Sequence, residues 1–188
     1  MIQTETRIEV EQTPNPNAEK FILAKNVILE GKRTFTEVAQ GEQFPLVKAL
    51  FGVAGVTQLH FFQNVISVTQ NGSRPWAEVE RDVIITIQEN LASHDPLLKE
   101  AHQAEPGRPF ISEEVSKIEA VLDRTIRPGL QGDGGDLEVI DYLTDSKRLL
   151  VRYQGACGTC PSSTAGTLMA IQQILRDELG TEIEVLNV

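Results

Sequence analysis

Residues 155–161 read Gly155-Ala156-Cys157-Gly158-Thr159-Cys160-Pro161, and they hold the only two cysteines in 188 residues. Before them Leu149, Val151 and Tyr153 alternate with polar residues as in a strand. After them Ala165, Leu168, Ile171 and Leu175 recur at helical spacing as far as Gly180. The thiols therefore fall where a strand gives way to a helix, with Pro161 suited to the first helical position. That places Cys160 at or next to the N-cap, where unpaired N–H groups and the positive end of the helix dipole favour thiolate over thiol. Gly155 and Gly158 remove side chains around the sulfurs, so that backbone amides can approach them.

Working outward, Ser112 can cap a helix whose apolar face carries Ile111, Val115, Ile118, Leu122 and Ile126, with Glu113 and Glu114 in its first turn and Arg127-Pro128-Gly129 ending it. Leu137–Val139 with Leu143, and Leu149–Tyr153, predict a hairpin turning at residues 144–147, and Ile183 and Val185 a closing strand. The order helix-strand-strand-helix-strand predicts a small α+β sandwich. Upstream, three prolines and a glycine between His94 and Pro109 mark a linker. The first half mixes strands at Ile8–Val10, Phe21–Leu23, Val27–Leu29, Val56–Phe62 and Val65–Val68 with helices over Pro45–Phe51 and Trp76–Leu91. The chain thus divides into an α+β domain over 1–93, a linker over 94–109 and a second α+β domain over 110–188. A linker of about sixteen residues predicts domains that move independently.

Composition excludes several classes. Apolar residues at 40% and charged residues at 23% exclude a wholly disordered chain, and 17 Lys+Arg against 27 Asp+Glu leave a net charge of −10, which repels polyanions; no nucleic-acid partner is expected. The N-terminus shows no export or organelle signal, and no apolar run approaches the roughly 18–20 residues that span a bilayer. A cytoplasmic protein with no membrane partner is expected, and cysteine usage suits a reducing compartment.

A two-residue spacer lets one loop present both sulfurs to one metal or cluster. Four thiolates are needed for such a site and one chain supplies two, so two copies of Cys157 and Cys160 would surround a group on a two-fold axis. Zinc and iron–sulfur satisfy that count equally. A thioredoxin-like dithiol competes, but it needs the motif after the first strand of a βαβ unit, whereas here a helix and a hairpin come first. Two buried small hydrophobes would waste the glycines and Pro161. Asp133 and Asp136 read as a tight turn rather than a hard-cation loop, which needs further oxygen ligands. His60, His94 and His102 read as surface or packed histidines, and Thr13–Asn17 as an ordered turn. Phe44, Leu50, Phe51, Phe61, Phe62 and Trp76 read as core.

The run from Arg127 to Asp136, Arg-Pro-Gly-Leu-Gln-Gly-Asp-Gly-Gly-Asp, followed some twenty residues later by Gly155 to Ser163, resembles the NifU C-terminal domain of Nfu-type iron–sulfur scaffold and carrier proteins. The first half is similar to the N-terminal domain of Nfu proteins through Gln12–Ala18 with Lys20-Phe21, then Leu50-Phe51, Gly55-Val56 and Trp76. The resemblance implies a labile [4Fe–4S] cluster held between two subunits by Cys157 and Cys160 of each, forming a homodimer. It further implies exchange with cluster-assembly proteins and transfer to apo iron–sulfur client proteins. That is carriage rather than enzymatic catalysis; the alternative is a thiol–disulfide oxidoreductase using the same pair.

Overall fold

The computed structural model describes residues 7–98, 112–159 and 164–188. The first part is an antiparallel sheet of β1 (Ile8–Gln12), β2 (Ala18–Leu23), β3 (Lys32–Phe35), β4 (Val56–Phe62) and β5 (Val65–Gln70), in the order β1-β2-β5-β4-β3, with helices α1 (Pro45–Phe51) and α2 (Trp76–Asn90). Alternation along the strands divides the two faces. Phe21, Leu23, Phe35, Leu59, Phe61, Ile66 and Val68 pack with Leu46, Leu50, Val79, Val83 and Ile87 of the helices in one core. The opposite face carries a polar row in register across four strands: Lys20 beside Ser67, Ser67 beside His60, and His60 beside Thr34.

The second part has helices α3 (Glu113–Thr125), α4 (Arg127–Gly132) and α5 (Thr164–Leu179) with a sheet of β6 (Gly135–Leu143), β7 (Arg148–Gly155) and β8 (Glu184–Asn187), in the order β6-β7-β8. Ser112 caps α3 as expected, its hydroxyl accepting from Val115 N at 3.2 Å. Ile118, Leu122, Leu137, Leu149, Val151, Ile171 and Leu175 form a separate core. The α+β class, the two-domain arrangement and the order of the second domain match the sequence reading.

Four details differ. Val27–Leu29 is not a strand: Val27 and Ile28 are buried, but their N–H groups donate to the turn carbonyl of Gln63, so burial there is served by a bend. β3 was hidden in Lys-Arg-Thr-Phe, where only Phe35 is buried. Arg127-Pro128 does not end the helical region; Pro128 lies in the first turn of α4, where its missing N–H is harmless. Finally, β7 and β8 are parallel and joined through α5, so the cysteine loop does follow the first strand of a βαβ unit, and topology does not weigh against the dithiol reading. Within the span read as a linker, Leu98 is buried in the first core and the His94 ring packs edge-on to Phe61. Residues 99–111, with His102, lie outside the described residues.

Glu19, buried on β2, faces Glu80 of α2. Burial first, then the Glu80 charge, raises its pKa from 4.5 to about 7. The unfolded chain therefore ionises first, and stability falls as pH rises between those two values. Glu19→Gln removes this loss: its melting temperature should exceed the parent's at pH 8, and the gain should disappear by pH 4.5, as followed by circular dichroism.

Candidate functional site

β7 ends on Gly155 at φ +61°, and a Cβ there would lie 2.6 Å from Gly134 O and 2.9 Å from the His60 ring, so only glycine fits. The chain then turns through residues 156–159, with Ala156 N donating to Gly134 O and Gly158 N to Gly155 O, both at 3.1 Å. Cys157 is 7% exposed and belongs to the second core. Its sulfur rests against Gly135, where a Cβ would lie 2.5 Å from Sγ. The glycine-aspartate run is thus more than a turn, because it forms the floor under Cys157. Tyr153 lies on the same side, its phenol pushed up to about 12 mainly by burial, with Cys157 adding to the effect. Cys160 and Pro161 lie outside the described residues. Among the described residues no three His, Cys, Asp or Glu side chains are grouped to hold a metal ion.

The polar face of the first domain closes over this loop. Asn15 Nδ2 donates to Ala156 O and to Thr159 Oγ1, both at 2.8 Å, and Gln58 Nε2 donates to Gly155 O at 2.8 Å. Lys20 Nζ donates to Gly132 O at 2.6 Å, and its stem with Ser67 lies over Gly134. His60 is 2% exposed, shares a 2.8 Å hydrogen bond with Thr34, and is held at a pKa of about 4 chiefly by burial. At neutral pH it adds no charge to the interface. The linker predicts independent domains; the structure instead shows them packed on one another, with Asn15, Lys20 and Gln58 of the first domain donating to backbone carbonyls of the two glycine-rich loops.

An ionic joint between the domains centres on Asp136, fully buried at the start of β6. It pairs with Lys32 Nζ of the first domain at 2.7 Å and with Arg127 Nε at 3.5 Å, and accepts from Gln131 Nε2 and from its neighbour Leu137 N. Burial lowers the Lys32 pKa, and hydrogen bonding and charge from Asp136 oppose that. Arg127 is tied further to Glu119 and Asp123. Sequence reading missed Asn15, Lys32, Gln58, His60 and Asp136 as site residues. Each is a common polar residue; Asn15, His60 and Asp136 had been noted, but as parts of turns or as a packed histidine, and Lys32 and Gln58 carried no signal.

Comparison with known proteins accords with this geometry. A model described as scaffold protein Nfu/NifU N terminal matches residues 8–94, and one described as NifU-like domain matches 118–186. A NifU-like protein of Schizosaccharomyces pombe is 30% identical over 96% of this chain and 73% of its own length. The chain belongs to the Nfu/NifU family. The human relative, described as NFU1 iron-sulfur cluster scaffold homolog, mitochondrial, is 35% identical over 90% of this chain and 66% of its own. NifU-like protein 4, mitochondrial, of Arabidopsis thaliana is 30% identical over 89% of this chain, which spans 61% of that relative's length. Among solved structures, a Saccharomyces cerevisiae NifU-like protein overlays with a TM-score of 0.47 at 20% identity, covering 53% of this chain and 92% of its own. The family is one of iron–sulfur scaffolds by the names its members carry, and none of these relatives is described as an oxidoreductase. Among the described residues no helix is long and apolar enough to cross a membrane.

Replacing Asp136 by Ala removes the buried carboxylate that Lys32 and Arg127 share, leaving Lys32 to the Leu137 carbonyl and Arg127 to Glu119 and Asp123. It should cost about 3 kcal/mol of unfolding free energy, the low end for a broken buried pair, as measured by urea denaturation.

Proposed function

We propose that this Nfu/NifU family member is a non-enzymatic carrier that binds a [4Fe–4S] cluster as cargo between two subunits and passes it to apo-proteins. Cys157 and Cys160 of each chain would be the four ligands. The observation that carries the reading is the loop itself: a Cys-x-x-Cys between the end of β7 and the start of α5, with Gly155 before it and Gly158 within it. Glycines beside the sulfurs let backbone amides approach them, the setting in which amides tune a thiolate ligand. Two thiols per chain supply half of a cluster's ligands, so capture joins two chains and release needs only exchange for a client's thiolates. Cluster-assembly proteins on the supply side and apo iron–sulfur clients on the receiving side are the partners this chemistry calls for. A homodimer is the holo form, and the two-cysteine economy suits the reducing cytoplasm.

Anaerobic reconstitution with iron and sulfide should give a broad band near ~400 nm, with about two irons and two sulfides per chain in a particle of dimer mass. Cys157→Ala and Cys160→Ala should each abolish both the band and the dimer. A colourless monomer that reduces insulin disulfides would instead establish the dithiol chemistry, and zinc in the dimer would replace the cargo while keeping the ligands.

A further inference from the structure

The residue preceding each cysteine is held by the same side chain of the other domain. Asn15 Nδ2 donates to the carbonyl of Ala156, just before Cys157, and to the hydroxyl of Thr159, just before Cys160. Both amide protons of this 1%-exposed residue are spent on a loop 141 and 144 positions away. Its orientation is locked from behind. Asn15 Oδ1 accepts from Asn17 N at 3.0 Å, Asn15 N donates to Thr13 Oγ1 at 3.1 Å, and Trp76 Nε1 on α2 donates to Pro16 O at 2.9 Å. The turn over Thr13–Asn17 is therefore a prebuilt part of the first domain, aimed at the cysteine loop.

In this arrangement Cys157 points inward against Gly135. A sulfur so placed cannot share an atom with a second chain until the loop moves. Movement of residues 156–159 separates Ala156 O and Thr159 Oγ1 from Asn15. We infer that Asn15 is a latch holding residues 156–159 closed, so that the first domain governs when the Cys157 thiol is presented to another protein. The inference rests on the carrier reading for its purpose, but the latch is a property of the chain without cargo.

The interface suits an opening device. It joins a polar sheet face to backbone carbonyls, and among the described residues Ser67 Oγ and His60 Nε2 are buried in it without a hydrogen-bond partner. Opening of residues 156–159 gives the Asn15 amide, the Ala156 carbonyl and the Thr159 hydroxyl to water, so part of the cost of breaking the Asn15 bonds is recovered. An apolar interface of the same extent would recover nothing.

The test is the alkylation rate of Cys157 by a bulky maleimide, in the full cargo-free chain carrying Cys160→Ser so that one thiol reports. Asn15→Ala should raise the rate about tenfold, the order expected for losing a buried double donor. Thr159→Val, which leaves the first domain untouched, should raise it less, and adding it to Asn15→Ala should give no further increase, since both remove one shared contact. Circular dichroism melts establish that each variant is folded; if Asn15→Ala is not, Thr159→Val decides alone. Folded variants alkylated at the parent rate would overturn the latch, as would a parent rate equal to that of the urea-unfolded chain. Normal cluster loading of the chain that keeps both cysteines, with no alkylation response in the Cys160→Ser reporter, refutes the latch and leaves the carrier reading intact. A clear response in the reporter, with no cluster taken up by the chain that keeps both cysteines, keeps the latch and refutes the cargo.

Discussion

The carboxylate of Asp136 is the constraint around which the site is arranged. A fully buried carboxylate must find hydrogen-bond donors and counter-charge or forfeit several kcal/mol, and here they come from both domains: Lys32 on β3, Arg127 and Gln131 on α4, and the backbone of β6. Satisfying one group thereby fixes where α4 meets β6 and where the first domain sits on the second. The adjacent Gly135 is fixed by the same joint, and with it the floor beneath Cys157.

The sheet of the first domain serves two kinds of contact at once. Its period-2 alternation sends Phe21, Leu59, Phe61, Ile66 and Val68 into an apolar core and leaves Lys20, Ser67, His60 and Thr34 on the far face. That far face would ordinarily be solvated. Here it is covered by two loops rich in glycine, whose exposed carbonyls accept from Lys20, Gln58 and Asn15. The cores remain separate, so the domains adhere through hydrogen bonds and one ion-pair cluster rather than through shared hydrophobic burial. Association of that kind is reversible in water, which exchanges with polar contacts more readily than it rewets an apolar seam.

Much of the architecture was legible because it rests on local patterns. The α1 helix over Pro45–Phe51, the hairpin at residues 144–147 and the Ser112 cap each follow from a few neighbouring residues, and the structure places them as read. Failures arose where an element is defined by its partner. Lys32–Phe35 is a strand because β4 offers it a ladder, and Val27–Leu29 is not one because its N–H groups are taken by the carbonyls of Gln63 and Pro96. The parallel pairing of β7 with β8 was likewise invisible, since strand direction is set by where α5 returns the chain.

Chain chemistry alone determined that there are two thiols, that they share one loop between a strand and a helix, and that the family's motifs surround them. These are matters of residue identity and short spacing. Only the tertiary structure decided that Cys157 lies inward on Gly135 and that Asn15, Lys32, Gln58 and His60 belong to the same locality. The reason is physical: hydrogen bonds and ion pairs between residues 97 to 144 positions apart leave no periodicity, and a polar side chain on a strand reads as solvent-facing until another surface is seen to satisfy it.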